Sequence, residues 1–365
     1  MPRKLIAAHC SLIVFLLLSC QPSPAPPPTI TFYALSPDPL ALIEYSPEFK
    51  PIKETPLSFP PNCGLNNVFP TPVGGFLAIE LYCPNGQTVL FLDADSGEFN
   101  QPVSDSDSHF LAWAPDGEAA YLKVDSLGDP RVVRLGTNGR QDFIPITELT
   151  YDLSANPGNQ DFTFTFSRGL GYGSEIWLAR QDGRIAQQLY ADRYNYISFA
   201  RWSPDGERIA FIKIPDTQTP FTVGELWVMD SDGSNAHKLA DADAGHGYAA
   251  NWSPDGRRIA FVVRENPEDE RADQSSDALI SNVYVANVES GALYQITKFA
   301  EGRVETPFWS PDGNTLAFSA VVDGRMNVYL ADILRAGAGS SVSVEMTPIE
   351  TESACCPAWM RKRVR

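Results

Sequence analysis

The chain has 365 residues, of which 43% are hydrophobic, and it contains 30 prolines and 26 glycines. This apolar content is enough for a packed core, and so many prolines and glycines favour short strands joined by turns over long helices. The net charge at pH 7 is −17, and such an acidic surface repels nucleic acid phosphates and anionic lipid head groups, which argues against a nucleic-acid-binding protein.

Residues 1–19 have the pattern of an export signal. Two basic residues precede an apolar run from Leu5 to Leu18, which is shorter than the roughly 20 apolar residues of a membrane-spanning helix. Ser19 before Cys20 resembles a bacterial lipobox, in which the cysteine is acylated and becomes the first residue of the mature protein. We therefore predict a lipoprotein signal peptide at 1–19 and a lipid, with palmitate, on Cys20. An ordinary secretory signal is the alternative.

A Pro-rich segment, QPSPAPPPT, follows at 21–29. This composition cannot form a core and is typical of a semi-rigid spacer. We predict that 20–29 is a lipidated cysteine with its tether and that 30–365 is one folded domain. The predicted location is extracytoplasmic. By resemblance to lipoproteins of two-membrane bacteria, Gln21 after the cysteine indicates the outer membrane, and a one-membrane host would keep the protein on the outer leaflet of its cell membrane.

One motif recurs through the predicted domain. It consists of Trp, then Ser or Ala, then Pro-Asp-Gly and an apolar strand, and its copies begin at Trp113, Trp202, Trp252 and Trp309. A second strand in each unit ends in an Asp-Gly turn. Proline presets φ for a turn and glycine accepts a positive φ, so each unit is predicted to form hairpins. Self-similarity at this spacing indicates a repeat fold.

Weaker copies complete the count of repeats. The first interval between motif tryptophans is about twice the later ones, which predicts a degenerate copy within 153–166. Another copy starts near Phe69, and Trp359 opens a unit that has no hairpin after it. We predict that the Trp359 strand joins strands from residues 30–53 in one shared blade, which closes a ring and removes its sheet edges. This gives seven blades, or six if residues 30–53 only cover an edge.

The motif and the strand that ends in Asp-Gly resemble the repeat of TolB-type β-propellers. The same repeat occurs in the propellers of prolyl oligopeptidase-like enzymes and of some uronate lyases. The resemblance covers residues 60–360 and implies an all-β chain that forms a single β-propeller. It says less about function, because propellers host unrelated activities.

The loops of such a propeller alternate between two faces. The Pro-Asp-Gly and Asp-Gly turns fall on one face, the turn face, and the longer connections fall on the other, the loop face. We interpret the repeated Trp, Asp and Gly residues as scaffold and expect the binding site on the loop face, since sites usually lie on longer loops of a rigid scaffold. The candidate binding residues are His109, Arg193, Tyr194, Tyr196, Asp243, His246, Tyr248, Arg303 and Glu305.

Beyond the predicted signal peptide, four cysteines besides Cys20 map to the same face, near the junction of the first and last blades. In an oxidising compartment they predict disulfides, and three pairings are possible. We favour Cys63 with Cys83, which leaves an adjacent pair, Cys355 and Cys356. The tether is expected to leave the ring beside them. No metal or cofactor is expected, and calcium is a minor alternative, because the acidic turns at 93–97 and 230–233 lack the glutamate of a calcium loop.

The resemblance to TolB implies a binding module that docks an envelope protein, a peptide or a glycan. The alternatives are an enzyme of the glycan lyase or hydrolase type and an accessory sensor subunit. The chain contains no Gly-x-Ser-x-Gly elbow, and of the three histidines beyond the signal peptide, His237 is expected on the turn face, away from His109 and His246. These observations favour a binding module over an enzyme.

Overall fold

The structure is a computed structural model that describes residues 30–71, 75–100, 107–125, 128–136, 139–217, 222–243, 249–333, 347–348 and 354–361. The predicted signal peptide, the predicted lipid site at Cys20 and the predicted tether lie outside these residues. Within them, no helix is long and apolar enough to span a membrane.

The described residues form seven antiparallel sheets, which are the blades of a propeller. Blade 7 begins with β1 Ile30–Pro37, β2 Leu40–Tyr45 and β3 Pro51–Pro56. Blade 1 contains β4 Gly64–Pro70, β5 Phe76–Cys83, β6 Gly86–Asp93 and β7 Phe99–Asn100. Blade 2 contains β8 Asp107–Trp113, β9 Ala119–Asp125, β10 Pro130–Gly136 and β11 Gln141–Ile144. Blade 3 contains β12 Thr150–Ala155, β13 Phe162–Phe166, β14 Ser174–Ala179 and β15 Ile185–Asp192.

Blades 4, 5 and 6 follow in the same way. Blade 4 contains β16 Asn195–Trp202, β17 Arg208–Pro215, β18 Val223–Asp230 and β19 His237–Asp243. Blade 5 contains β20 Asn251–Trp252, β21 Arg258–Arg264, β22 Ser281–Asn287 and β23 Leu293–Gln295. Blade 6 contains β24 Arg303–Val304, β25 Phe308–Trp309, β26 Thr315–Val322, β27 Arg325–Asp332 and β28 Thr347–Pro348. A 3₁₀ helix, Ser276–Ala278, lies between β21 and β22, and the last strand is β29 Cys355–Arg361.

The ring closes as the sequence predicts. The last strand, β29, pairs antiparallel with β1, and Trp359 lies opposite Phe32. The sheet order β29-β1-β2-β3 therefore makes one blade from both ends of the chain. The prediction of seven blades is confirmed, and the six-blade alternative is wrong because residues 30–56 supply three strands of a blade instead of covering an edge.

The core lies between the blades. The middle strands are buried on both sides, so their apolar residues run almost continuously instead of alternating, as in β5 and β17. Each of the seven apolar clusters draws its side chains from two neighbouring blades, for example Phe91 of blade 1 and Leu122 of blade 2. Neighbouring blades are therefore held together by burial of apolar surface.

The motif turns are hydrogen-bonded in the same way in blades 4, 5 and 6. In blade 4 the Ser203 hydroxyl donates to the Asp205 carboxylate and accepts the Arg208 N–H. Gly206 has φ 72°, a left-handed conformation that favours glycine. The same bonds recur at Ser253 and Ser310, which supports a scaffold role for the motif.

The direction of the strands fixes where the chain enters the ring. The innermost strand of each blade, which is the first strand of blades 1 to 6 and β29 in blade 7, runs from the loop face to the motif turn. Ile30 pairs with Arg361 at the far end of β29, so the chain enters the propeller on the turn face. Cys355 begins β29 at the loop face, so Ile30 and the cysteines lie at opposite ends of blade 7, and the tether itself lies outside the described residues.

Candidate functional site

His109 lies in a polar cluster at the junction of blades 1 and 2. Its Nδ1 is 3.7 Å from the Glu80 Oε1 atom and its Nε2 is 3.7 Å from the Asp107 Oδ2 atom. Glu80 is buried and accepts hydrogen bonds from the Asn66 and Asn67 side chains and from the Phe110 N–H. The partly exposed imidazole therefore lies beside two carboxylates. Glu80, in blade 1, also links the two blades because it accepts the Phe110 N–H of blade 2.

Arg303 and Glu305 lie together at the start of blade 6. Glu305 and His109 occupy the same repeat position, four residues before the motif tryptophan. Burial raises the pKa of Glu305, and the positive charge of Arg303 only partly opposes this shift. Arg303 also approaches Asp277, at 3.8 Å. The result is a carboxyl group that binds its proton more tightly than an ordinary glutamate.

The other candidates divide into exposed and inaccessible residues. Arg193 and Tyr194 are exposed and Tyr196 is half-buried in β16. Asp243 is only 2% exposed at the end of β19, so its side chain is not available to a ligand at the surface. His246 and Tyr248 lie outside the described residues.

Sequence reasoning missed a group of exposed apolar side chains on the loop face that includes Tyr194. Eleven large hydrophobic side chains are exposed in the described residues, and five of them lie at the loop face of blade 3 and its junction with blade 4. We call these five the loop-face patch: Leu149, Tyr151, Leu170, Tyr172 and Tyr194. Tyr172 is 66% exposed and Tyr194 is 76% exposed. Isolated exposed hydrophobics are ordinary, but a concentration of this kind is typical of an interaction site.

A hydrogen-bond network holds the Tyr172 loop of the patch in place. The Asp216 Oδ2 atom accepts the N–H groups of Gly171 and Gly173 at 2.8 and 3.0 Å, and the Asp216 N–H donates to the Tyr194 carbonyl. Gly173 has φ 65°, and a Cβ atom there would lie 1.9 Å from the Asp192 carbonyl oxygen. The loop that carries Tyr172 is thus pressed onto the backbone next to Tyr194.

Two arginines border the loop-face patch. Arg168 is exposed, forms an ion pair with Glu175 and lies over the Phe166 ring. Arg193 is exposed between Asp192 and Tyr194. The sequence signal for this surface is the run from Arg168 to Gly173, in which Leu170 and Tyr172 alternate with glycines. This pattern is typical of a loop and not of a buried strand.

The central channel holds a second concave surface, near the turn face. This cavity has a volume of about 510 Å³ and is lined by the innermost strands of all seven blades. Its aromatic wall includes Phe69, Phe110, Trp113, Trp252, Trp309 and Trp359. The charged side chain at this level, Arg201, forms an ion pair with Asp152 at 2.7 Å. The cavity suits apolar or aromatic groups.

The motif tryptophans also join the blades. The indole Nε1 of Trp113 donates to the Phe69 carbonyl at 2.9 Å, and that of Trp309 donates to the Asn251 carbonyl at 3.0 Å. Trp202 and Trp252 make the same bond to the preceding blade. The interpretation of these residues as scaffold is therefore supported, and their rings form the channel wall as well.

The cysteines form the favoured pairs, Cys63 with Cys83 and Cys355 with Cys356. All four pack in one apolar cluster between blades 7 and 1. Among the described residues, no group of three or more His, Cys, Asp or Glu side chains is placed to hold a metal ion.

Comparison with known proteins agrees with this fold. Residues 216–359 match the TolB beta propeller domain family, and no curated protein matches the sequence significantly. Similar solved structures include TolB from Acinetobacter baumannii, with 17% identity, a TM-score of 0.50, and 92% of this chain and 82% of that chain covered.

Two further similar structures are enzymes by name. Oligogalacturonate lyase from Vibrio parahaemolyticus has 12% identity and a TM-score of 0.54, with 88% of this chain and 84% of that chain covered. A Mycobacterium tuberculosis puromycin-hydrolyzing peptidase has 14% identity and a TM-score of 0.59, with 89% and 54% covered. At these identities the similarity shows the fold alone.

Proposed function

We propose that this β-propeller, whose residues 216–359 match the TolB beta propeller domain family, is a membrane-anchored binding module of the cell envelope that holds a protein or peptide partner on its loop face. The observation that carries the proposal is the loop-face patch, in which five of the eleven exposed large hydrophobic side chains are concentrated. Holding them in water without a partner would be unfavourable.

The composition and rigidity of the patch favour a protein partner. Three of its five residues are tyrosines, and Arg168 and Arg193 border it. Tyrosine and arginine are enriched in protein interfaces, where they carry much of the binding energy. Because Asp216 already holds the Tyr172 loop, little conformational entropy would be lost when a partner binds.

The proposed location rests on the sequence and on the cysteines. The lipobox-like Ser19-Cys20, the Pro-rich tether and the two disulfides all suit a protein exported to an oxidising compartment. The resemblance to TolB agrees with an envelope location.

The experiment is a chemical crosslinking pull-down from the envelope of the producing bacterium. The bait is the full chain, compared with a Tyr172→Ser, Tyr194→Ser double variant and with Tyr82→Ser as a matched control. Tyr82 is 56% exposed and lies on the loop face of blade 1, away from the patch. We expect a partner that the wild type and the control capture and the double variant loses by at least about tenfold, since two interface tyrosines contribute more than about 1.4 kcal/mol. Equal capture by all three proteins would contradict the proposal.

An enzyme of the glycan lyase or hydrolase type is the second candidate. The observation that favours it is Glu305, whose pKa is raised by burial and which lies at the same repeat position as His109. A carboxyl group with a raised pKa suits general acid catalysis. Turnover of envelope glycans that Glu305→Gln abolishes and the Tyr172, Tyr194 variant retains would support this function over binding at the loop-face patch.

A further inference from the structure

The two disulfides of the apolar cluster between blades 7 and 1 differ in what they do for the fold. Cys63–Cys83 links residues 20 positions apart, and Cys355–Cys356 links neighbours. We propose that Cys355–Cys356 is a redox-active site that exchanges electrons with a dithiol partner, whereas Cys63–Cys83 is structural. The proposal is independent of the function proposed above.

Loop closure separates the two roles. A disulfide stabilises a fold mainly by restricting the unfolded chain, and the effect grows with the length of the closed loop. Cys63–Cys83 joins the entry of β4 to the end of β5 and so restricts a whole hairpin. Cys355–Cys356 encloses no intervening residue, and it therefore restricts the unfolded chain very little.

The backbone at Cys356 does not need the disulfide. Cys356 has φ 61° and lies three residues before Trp359. Phe199 lies three residues before Trp202 in blade 4 and has φ 54°, with no cysteine beside it. The innermost strand thus adopts this left-handed position by itself, and in blade 7 the Cys356 N–H is also held by the Ser319 hydroxyl at 3.0 Å. The strand can accept the oxidised or the reduced pair without refolding.

Exposure decides which sulfur reacts. Cys355 is 4% exposed, whereas Cys356 is half-buried on the innermost strand, as Cys63 and Cys83 are in blade 1. An incoming thiolate attacks the sulfur that it can reach, so the Cys356 Sγ atom is the site of attack. Exposed disulfides that contribute little to stability belong to the labile class, which is regulatory or catalytic.

The exchange has two steps. A thiolate of the dithiol partner attacks the Cys356 Sγ atom, the Cys355–Cys356 bond breaks, and the Cys355 sulfur leaves as a thiolate that takes up a proton. The second thiol of the partner, as its thiolate, then attacks the mixed disulfide and releases Cys356, which is protonated in turn. Two electrons and two protons pass to the propeller, and the partner leaves as a disulfide.

The test is a redox titration of the purified full chain in buffers of reduced and oxidised dithiothreitol. Free thiols are alkylated at each ratio, and peptide mass spectrometry measures the reduced fraction of each pair separately. We expect Cys355–Cys356 to be half-reduced at a ratio of reduced to oxidised dithiothreitol at least about tenfold lower than Cys63–Cys83 requires, the difference expected for a labile and a structural disulfide. Simultaneous reduction of both pairs, or earlier reduction of Cys63–Cys83, would overturn the proposal.

Two double variants test the separation of roles. Cys355→Ser, Cys356→Ser is expected to keep the wild-type circular dichroism spectrum and thermal midpoint, and Cys63→Ser, Cys83→Ser is expected to lower the midpoint by several degrees. In the second variant the remaining pair should still titrate. An equal loss of stability in the two variants would mean that both disulfides are structural and would refute a redox role.

Discussion

Trp359 offers a quantitative test of ring closure. Its ring packs against Phe32, with 4.6 Å between ring centroids, and against Phe49, at 5.8 Å. Its indole Nε1 is buried and has no hydrogen-bond partner among the described residues, unlike Trp309, whose Nε1 donates to the Asn251 carbonyl. The two tryptophans occupy the same motif position in adjacent blades, and of the two only Trp309 makes this hydrogen bond.

Substitution by phenylalanine separates packing from the hydrogen bond. We expect Trp309→Phe to cost about 1 kcal/mol more than Trp359→Phe, because only the first removes a hydrogen bond and leaves a carbonyl without its donor. Substitution by alanine removes the whole ring, and we expect Trp359→Ala to cost about 3 kcal/mol, the low end for a large aromatic residue, because Trp359 is only half-buried.

Equilibrium unfolding in guanidinium chloride, followed by circular dichroism, measures these differences in the free energy of unfolding. The m-value should be the same in all variants, so that a shift of the midpoint reports a change in stability. A Trp359→Phe variant that is destabilised as much as Trp309→Phe would refute the assignment of the missing hydrogen bond. A Trp359→Ala variant as stable as the wild type would show that the β29–β1 junction does not support the ring.

Three more outcomes are expected. Asp216→Ala should cost about 2 kcal/mol, since it removes a charged acceptor of two hydrogen bonds, and faster amide hydrogen exchange at Gly171 and Gly173 should report the freed loop, whereas unchanged exchange would contradict the network. Glu305 has a raised pKa, so wild-type stability should fall as pH rises from about 4.5 through the folded pKa, and Glu305→Gln should remove that slope in unfolding curves at pH 5 and pH 7. Burial opposes ionisation of Asp205, but hydrogen bonds from Ser203 and from the backbone outweigh it and lower the pKa. The contribution of Asp205 to the free energy of unfolding is therefore present above the usual pKa of 3.8 and lost as pH falls through the lower pKa of the folded state. Asp205→Asn should lose less stability in acid than the wild type.

The fold could be predicted because its signals are local and repeated. A motif of five residues sets a hairpin wherever it occurs, and even the degenerate copy in blade 3 keeps its turn, where the Asn156 side chain accepts the Gly158 N–H. Closure followed from counting, since the unit that opens at Trp359 needed strands that only the N-terminal part could supply.

The candidate site was predicted less well because it depends on contacts distant in sequence. Asp216 holds Gly171 across 45 residues, and no local pattern links those positions. Asp243 was chosen for its charge and its place before Trp252, but the end of β19 is covered and buries it. Of the selected loop-face residues, Tyr194 lies in the patch and Arg193 at its border.

If Cys20 carries the proposed lipid anchor, the point of entry at Ile30 bears on how the molecule would stand on a bilayer. Ile30 lies on the turn face, so a domain suspended from residues 20–29 would rest with its tryptophan-lined channel mouth toward the lipid. Ten residues of Pro-rich chain span about 30 Å. The loop-face patch would then look away from the membrane that carries the anchor, and a partner would have to come from the opposite side of the aqueous compartment or reach across the full height of the ring.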